Sequence, residues 1–391
     1  MSQLLTISPS SHDKPVNTFK DANILAQELA RHIRGEVRFD NGSRGLYATD
    51  GSNYRQIPIG VVIPKDESDC IETMRICREF GAPVLSRGGG TSLAGQCCNV
   101  AVILDFSKYM NQIIELNYQQ KYARVQPGIV LDALRNAGEK HHLTFAPDPA
   151  THTHCTLGGM IGNNSCGVHS ILGGKTVDNV YELDVLTHDG LRLRVGETSE
   201  QELESIIRQG GRRGEIYAGL RKLRDRYAEL IRKRYPKIPR RVSGYNLDSL
   251  LPENKFNVAQ ALVGSEGTCV MVLEAKLRLV HSPPARTLVV LGYEDVYTAA
   301  DHVPEIMKTG PIGLEGIDDK LESYMKKKGL HTGDLNLLPD GKGWLLVEFG
   351  GESKKEADAH AKEMMALLKK KPDAPTMKLY DDREQENKVW E

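Results

Sequence analysis

The stretch Pro83-Val84-Leu85-Ser86-Arg87-Gly88-Gly89-Gly90-Thr91-Ser92-Leu93-Ala94-Gly95 narrows the possible folds more than any other part of the chain. Pro83 to Ser86 reads as a buried strand, and it runs straight into three glycines and two hydroxyl residues. Glycines can take positive φ and bring backbone N–H groups against a ligand with no Cβ in the way. Several N–H groups aimed into one concavity make an anion site, to which Thr91 and Ser92 add hydroxyl donors. A phosphate or pyrophosphate suits such a site. The spacing matches neither G-x-x-x-x-G-K-[ST] nor a G-x-G-x-x-G that opens a helix after the first strand.

The surroundings of this loop are those of an α/β unit. Ile57 to Pro64 is an apolar run bounded by prolines, as a buried strand would be. Asp66 can cap a helix with Cys70, Ile71, Met74 and Cys77 on its inner face, and Gly81 ends it. A further strand, Val100 to Asp105, completes a strand–helix–strand grammar. Before it, one helix is expected over Phe19 to Arg34. The chain has 391 residues, 40% of them hydrophobic, enough for a sizeable core and two or more domains. Its net charge of -1 and aromatic content of 6% argue against a nucleic-acid partner. Met1 to Ile7 lacks a basic start followed by a long apolar run, so no signal peptide is expected, and no apolar run approaches a membrane span. The seven cysteines contain no C-x-x-C pair. They imply a reducing compartment, with no metal site and no iron–sulfur cluster in this chain.

Further along, Tyr122 to Gln126 reads as a strand, Ile129 to Lys140 as a helix, and Tyr181 to Val195 as a hairpin about an Asp189-Gly190 turn. Between them lies a long passage rich in glycine and histidine, Pro147 to Lys175, expected to be a functional loop. Residues 200–241 are strongly basic around one apolar stripe, Ile216, Leu220, Leu223, Tyr227, Leu230 and Ile231. A solvated helix face accounts for them. Docking of an acidic partner domain or anionic lipid is the sharper alternative, and nucleic acid comes third. Ala259 to Val280 reads as strand around Gly264-Ser265-Glu266-Gly267-Thr268. After His281-Ser282-Pro283-Pro284 a new segment alternates strands (287–293, 312–317, 344–350, 376–380) with helices (297–308, 319–327, 356–370).

Two glycine clusters, at 88–95 and 158–167, frame one ligand better than two. The second adds Asn163, Asn164 and Ser165, the hydrogen-bonding groups that a flavin or an adenine needs. Glu266, between glycines, either accepts from a ribose hydroxyl or simply begins the next strand. Five ordered blocks then carry a resemblance: Arg87 to Gln96, Pro147 to Thr151, Cys155 to Gly167, Gly174 to Val180 and Gly264 to Thr268. Together they resemble the FAD-binding domain of the vanillyl-alcohol oxidase / p-cresol methylhydroxylase superfamily of flavoenzymes. Within it they are similar to the D-lactate, glycolate and D-2-hydroxyglutarate dehydrogenase branch, in particular its long bacterial members that join an FAD-linked oxidase half to an iron–sulfur half.

The resemblance implies an α+β fold: a two-subdomain PCMH-type FAD-binding domain followed by a partial, ferredoxin-like α+β cap domain. Its divisions would be a lead-in over 1–54, the FAD-binding domain over 55–284 with a basic helical insertion at 200–241, and the cap over 285–391. By the same resemblance Arg87, Gly88, Gly89, Gly90, Thr91 and Ser92 hold the FAD pyrophosphate. Pro147, Asp148, Thr156, Gly158, Gly159, Gly162, Asn163, Asn164 and Ser165 line the isoalloxazine and the diphosphate. Val180, Glu266 and Gly267 flank the adenine end. Covalent relatives carry a histidine where this chain has Thr91, so non-covalent FAD is implied. Cys155 and Cys166 read as packing or loop residues rather than thioether sites.

The implied activity is oxidation of a small D-2-hydroxy acid by hydride transfer to flavin N5, with an iron–sulfur domain or a quinone as acceptor in relatives. The implied setting is cytoplasmic, with a peripheral position at the inner membrane as a second reading. Arg241, Tyr245 and Asn246, in Arg241-Val242-Ser243-Gly244-Tyr245-Asn246-Leu247, are candidate substrate contacts; a loop anchor is the plainer role. His152 and His154 would share one strand face, as histidines near the flavin rather than as metal ligands. Lys388-Val389-Trp390-Glu391 is similar to the start of the family's Trp-x-x-Arg-Glu segment. Its arginine, the later histidine motifs and the iron–sulfur half do not follow, so a truncated chain is expected, without its catalytic C-terminal motifs. The alternatives are an NADPH-dependent enolpyruvyl-reductase-like flavoenzyme and an inert flavin-binding fragment.

Overall fold

A computed structural model describes residues 19–330 and 334–390. The signal-peptide reading and the first part of the 1–54 lead-in fall outside the described residues. Strands and helices mix in an α+β arrangement of three main sheets.

The first sheet contains β1 (Glu36–Arg38), β2 (Gly60–Ile63), β3 (Val84–Arg87) and β4 (Val102–Asp105) in the order β1-β2-β4-β3. β4 pairs in parallel with both β2 and β3, so the crossover from β2 to β3 skips one strand. That crossover is the helix Glu67–Glu79. The Asp66 carboxylate accepts from the N–H groups of Ser68 and Asp69, closing the helix start. Cys70, Met74 and Cys77 face inward, and Gly81 at φ +65° turns the chain out. β2 and β4 are buried throughout, as parallel strands covered on both faces are. β3 corrects the expectation of a buried strand: it is the edge strand and only half-buried, because its far end opens into the glycine loop.

The second sheet follows in chain order. Its strands are β5 (Ile113–Asn117), which was not anticipated, β6 (Tyr122–Val125), β8 (Val180–Thr187), β9 (Arg192–Val195) and β10 (Val270–Arg278). A short β7 (Leu143–Thr144) pairs separately with β11 (Val280–His281). The sheet order is β5-β6-β10-β8-β9, all antiparallel. β10 buries alternate residues, Met271, Leu273, Ala275 and Leu277, as a strand with one covered face must.

Several expectations need correcting here. Val258–Leu262 is a helix, capped by Asn257, rather than the start of a strand. Pro147 to Lys175 is not one long loop: it contains the helix Leu157–Asn163 and a single turn, Ser170–Gly173. Glycine disfavours a helix interior; here burial of Leu157, Met160 and Ile161 outweighs that cost. The basic region forms two helices, Glu200–Gln209 and Gly211–Arg234. The buried seam of the second is Tyr217, Arg224 and Ile231, at seven-residue spacing, while Leu230 of the expected stripe is 52% exposed. Arg224 can be buried because Glu200 and Asp225 accept from it at 2.5 and 2.8 Å. Arg232 is likewise paired, with Glu253.

The third sheet starts at Ala285: β12 (Ala285–Tyr293), β13 (Gly313–Asp318), β14 (Gly343–Gly351) and β15 (Thr376–Tyr380), in the order β13-β14-β12-β15. Val289, Leu291, Val347 and Phe349 pack one face against Met364 and Leu368 of the helix Lys354–Leu368. The anticipated strands and helices of this part are all present, and a terminal helix, Arg383–Trp390, is added.

Candidate functional site

The glycine loop and the segment before Leu157–Asn163 touch backbone to backbone. A Cβ on Gly88 would stand 1.9 Å from Thr156 Oγ1, and one on Gly89 would stand 2.3 Å from the His154 carbonyl oxygen. Gly90 takes φ +66°. Arg87 braces the loop from behind: its guanidinium donates to the carbonyls of Thr49 (2.8 Å), Cys97 (3.0 Å) and Tyr47 (3.4 Å). It therefore shapes the loop and has little left to offer a ligand. Among the described residues no protein group accepts from the N–H groups of Gly88, Gly89, Gly90, Thr91 or Ser92. Consecutive unpaired N–H groups on a half-exposed loop suit an anion.

The helix Leu157–Asn163 forms the second wall. Thr156 caps it, Oγ1 accepting from Gly159 N–H at 3.4 Å. Leu157, Met160 and Ile161 point inward. Gly158 packs on Pro127, with only 2.7 Å left for a Cβ. Gly159 and Gly162 differ: a Cβ on Gly159 would meet nothing nearer than 3.4 Å, and one on Gly162 nothing nearer than 3.9 Å. This side of the helix is bare, and a flat ring could approach its backbone closely. Asn164 ends the helix in the left-handed region at φ 57°. Its Oδ1 accepts from Val177 N–H, while Nδ2 is buried with no partner.

The third block closes on the first two. Glu266 N–H donates to the Gly162 carbonyl at 3.0 Å, and Asn163 Nδ2 donates to Glu266 Oε1 at 3.1 Å. Burial pushes the Glu266 carboxyl up, against hydrogen bonds from Asn163 and from Gln96 of the glycine loop. One carboxylate thus joins three blocks that are far apart in the chain. Gly267, at φ +70°, leaves open space beside it.

The other candidates separate. Tyr245 is 48% exposed and shares a 2.8 Å hydrogen bond with Thr268 Oγ1. Asn246 is buried and donates to the Val263 carbonyl. Arg241 Nη2 lies 2.8 and 2.7 Å from the two Asp248 oxygens, with its guanidinium 4.6 Å over the Tyr235 ring. The outer two are loop anchors. Val180 is core at the start of β8. His152 and His154 sit on a turn, not a strand, one bonded to Asp132 and the other to Thr153. Cys155 is buried; Cys166 accepts from Arg240 at 3.0 Å. Among the described residues, no group of three or more His, Cys, Asp or Glu side chains could hold a metal ion. No described helix is long and apolar enough to cross a membrane.

Sequence reasoning missed His169. It is buried against Asp148, whose carboxylate accepts from its backbone N–H at 2.8 Å and from Nδ1 at 2.5 Å. Nε2 lies 2.7 Å from Glu348 of β14, 179 residues away. Arg286 of β12 donates to the same Glu348 oxygen at 3.1 Å. Nothing local in the sequence pairs residues at that separation.

A family model described as FAD binding domain matches residues 58–196, and one described as FAD linked oxidases, C-terminal domain, matches residues 282–391. D-2-hydroxyglutarate dehydrogenase of Pseudomonas putida is 32% identical over 94% of this chain and 37% of its own length. Its counterpart in Haemophilus influenzae is 31% identical over 87% of this chain and 34% of its own. Glycolate oxidase subunit GlcD of Bacillus subtilis is 30% identical over 83% and 59%. The chain thus spans about a third of the length of the first two relatives. Among solved structures, an alkyldihydroxyacetonephosphate synthase superposes with a TM-score of 0.65 at 18% identity, over 94% of this chain and 67% of that one.

Proposed function

The chain belongs to the PCMH-type FAD-linked oxidases, and from that premise we propose that it is an FAD-dependent dehydrogenase acting on a small D-2-hydroxy acid. FAD is its cofactor. When bound, FAD would supply the electron sink for the hydride on the carbon that bears the hydroxyl. The protein supplies binding and orientation.

In this reading residues 55–284 hold the cofactor, 200–241 are a basic helical insertion, and 285–391 form a ferredoxin-like cap. The N–H groups of Gly88 to Ser92 hold the pyrophosphate, with Arg87 fixing the loop from behind. The bare side of Leu157–Asn163, at Gly159 and Gly162, takes the flat ring, with Asn163 and Ser165 at its edge. Glu266 and Gly267 stand at the nucleotide end, where the carboxylate can accept from a hydroxyl. Thr91 offers no imidazole for a covalent link, so attachment is non-covalent. Of the three candidate substrate contacts, Tyr245 keeps an exposed hydroxyl. The unpaired N–H groups of Gly88 to Ser92, on a loop that touches the start of the helix carrying the open Gly159 and Gly162 positions, carry the proposal.

Purified chain should be yellow or become so with FAD, and should release free FAD on denaturation. Under anaerobic conditions D-2-hydroxyglutarate, D-lactate and glycolate are each mixed with the loaded protein, and absorbance near the flavin maximum is followed. Bleaching by at least one of them is expected. Bleaching by NADPH alone would move the protein to the reductase reading. Bound flavin that none of these reduces would leave a binding module, and a chain that takes no FAD would end the proposal.

A further inference from the structure

The Asp148–His169–Glu348 chain of contacts joins the proposed cofactor wall to the third sheet. Both ring nitrogens of His169 face carboxylate oxygens, at 2.5 Å for Asp148 and 2.7 Å for Glu348. A neutral imidazole carries one N–H and would leave the other carboxylate against a bare lone pair. Only the imidazolium satisfies both. All three side chains are largely buried, so an unmatched charge here would be costly.

We propose that His169, held as an imidazolium, is a positioning residue that locks the cofactor wall to the C-terminal sheet, so that FAD binding and docking of that sheet are lost together when its proton leaves. The link to FAD rests on the reading that residues 147–167 line the cofactor. Asp148 is in that lining, and its carbonyl lies 1.9 Å from where a Gly167 Cβ would be, so residues 148 and 167 are in backbone contact. β14 is the central partner of β12 and β13. His169 pairs with a carboxylate on each side, Asp148 on one and Glu348 on the other.

The groups facing His169 come from several elements. Asp148 and Glu348 are anionic; Arg286 of β12 lies 3.3 Å from Nε2 and donates to Glu348. Arg135, on the helix Leu131–Glu139, reaches to 4.0 Å from Asp148. β13 approaches through Gly313, which brings no side chain, and the Trp390 ring stands 6.5 Å away. Behind Glu348, Glu386 is paired with Lys354. Burial opposes the charge on His169, and the hydrogen bonds its ring donates to Asp148 and Glu348 outweigh it, so its imidazole is pushed up to about 9. A histidine raised in the folded state stabilises fully below its ordinary range and loses that contribution as pH climbs through the raised value. The lock should therefore hold at neutral pH and open as pH climbs through about 9.

The test uses the full chain. FAD affinity is read from flavin fluorescence, and amide exchange of β12 and β14, corrected for intrinsic rate, is followed from pH 7 to 10.5. The wild type is expected to lose affinity at least tenfold and β14 protection in one shared transition. His169→Gln should show the weak affinity and low protection already at pH 7, with no transition. Glu348→Gln, which keeps the shape of β14, should move the transition to lower pH, and it decides the matter if His169→Gln does not fold. A wild type flat in both readouts up to pH 10 would overturn the proposal, as would a His169→Gln protein that keeps the wild-type transition. If no FAD binds at any pH, the cofactor reading fails, and β14 protection alone decides whether the lock exists.

Discussion

Thr156 Oγ1 occupies the space that any side chain on Gly88 would need: a Cβ there would stand 1.9 Å from it. The glycine serves two ends at once. It frees an N–H for an anion, and it lets the loop press against the capped start of Leu157–Asn163. Gly88→Ala should therefore cost about 2 kcal/mol by overpacking and weaken FAD at least tenfold. Thermal melting and a fluorescence titration would check both; an unchanged melting curve would mean the loop has room that the geometry denies it.

Gly162 makes the opposite case. Nothing lies within 3.9 Å of its Cβ position, and a better helix former than glycine gains up to about 1 kcal/mol. Gly162→Leu should melt at or above the wild-type temperature yet fail to take up FAD, because the side chain stands where the ring would lie. A stable, fully yellow variant would put the cofactor elsewhere.

Arg87 holds three carbonyls from Tyr47 to Cys97. Replacing it by methionine keeps much of the length and removes every donor. A charge-assisted hydrogen bond is worth roughly 1.5–3 kcal/mol, so Arg87→Met should lower stability by at least about 2 kcal/mol and speed amide exchange in residues 88–98. Arg87→Lys should restore only part of either, since a single ammonium cannot span the three acceptors.

Glu36 contributes to the acid limb of the stability curve. Hydrogen bonds from Lys108, Tyr109 and Arg38 hold its carboxyl down at about 2, against a small opposing effect of burial. A depressed carboxyl contributes above its ordinary range near 4.5 and loses that contribution as pH falls toward 2. Acid unfolding followed by circular dichroism should be less steep below pH 4.5 in Glu36→Gln than in the wild type. Superimposable acid limbs would show that Glu36 makes no such contribution.

Local chemistry makes much of this protein legible in its sequence. Asp66 announces a helix start, Gly81 its end, and Asp189-Gly190 a hairpin, because capping and positive φ are decided within a few residues. The strands and helices after Ala285 were readable for the same reason, as alternating runs with clear breaks. The ordered glycine blocks carried the family and its cofactor, since a close backbone approach admits no other residue at Gly88 or Gly89.

Contacts across the chain decided the rest. Burial of Leu157 and Ile161 made a helix of a glycine-rich passage, and Arg87, read as a ligand contact, turned inward to three carbonyls. Asn246 became an interior anchor once Val263 lay beside it. His169 acquired its partners only when residue 348 was folded against residue 148. Residue order by itself determined which segments could be strand, helix or glycine cradle, because those preferences are local. Which charges meet in the interior depends on how sheets pack. Only the tertiary structure settled that, since a carboxylate and an imidazole separated by 179 residues have no common signature until folding buries them together.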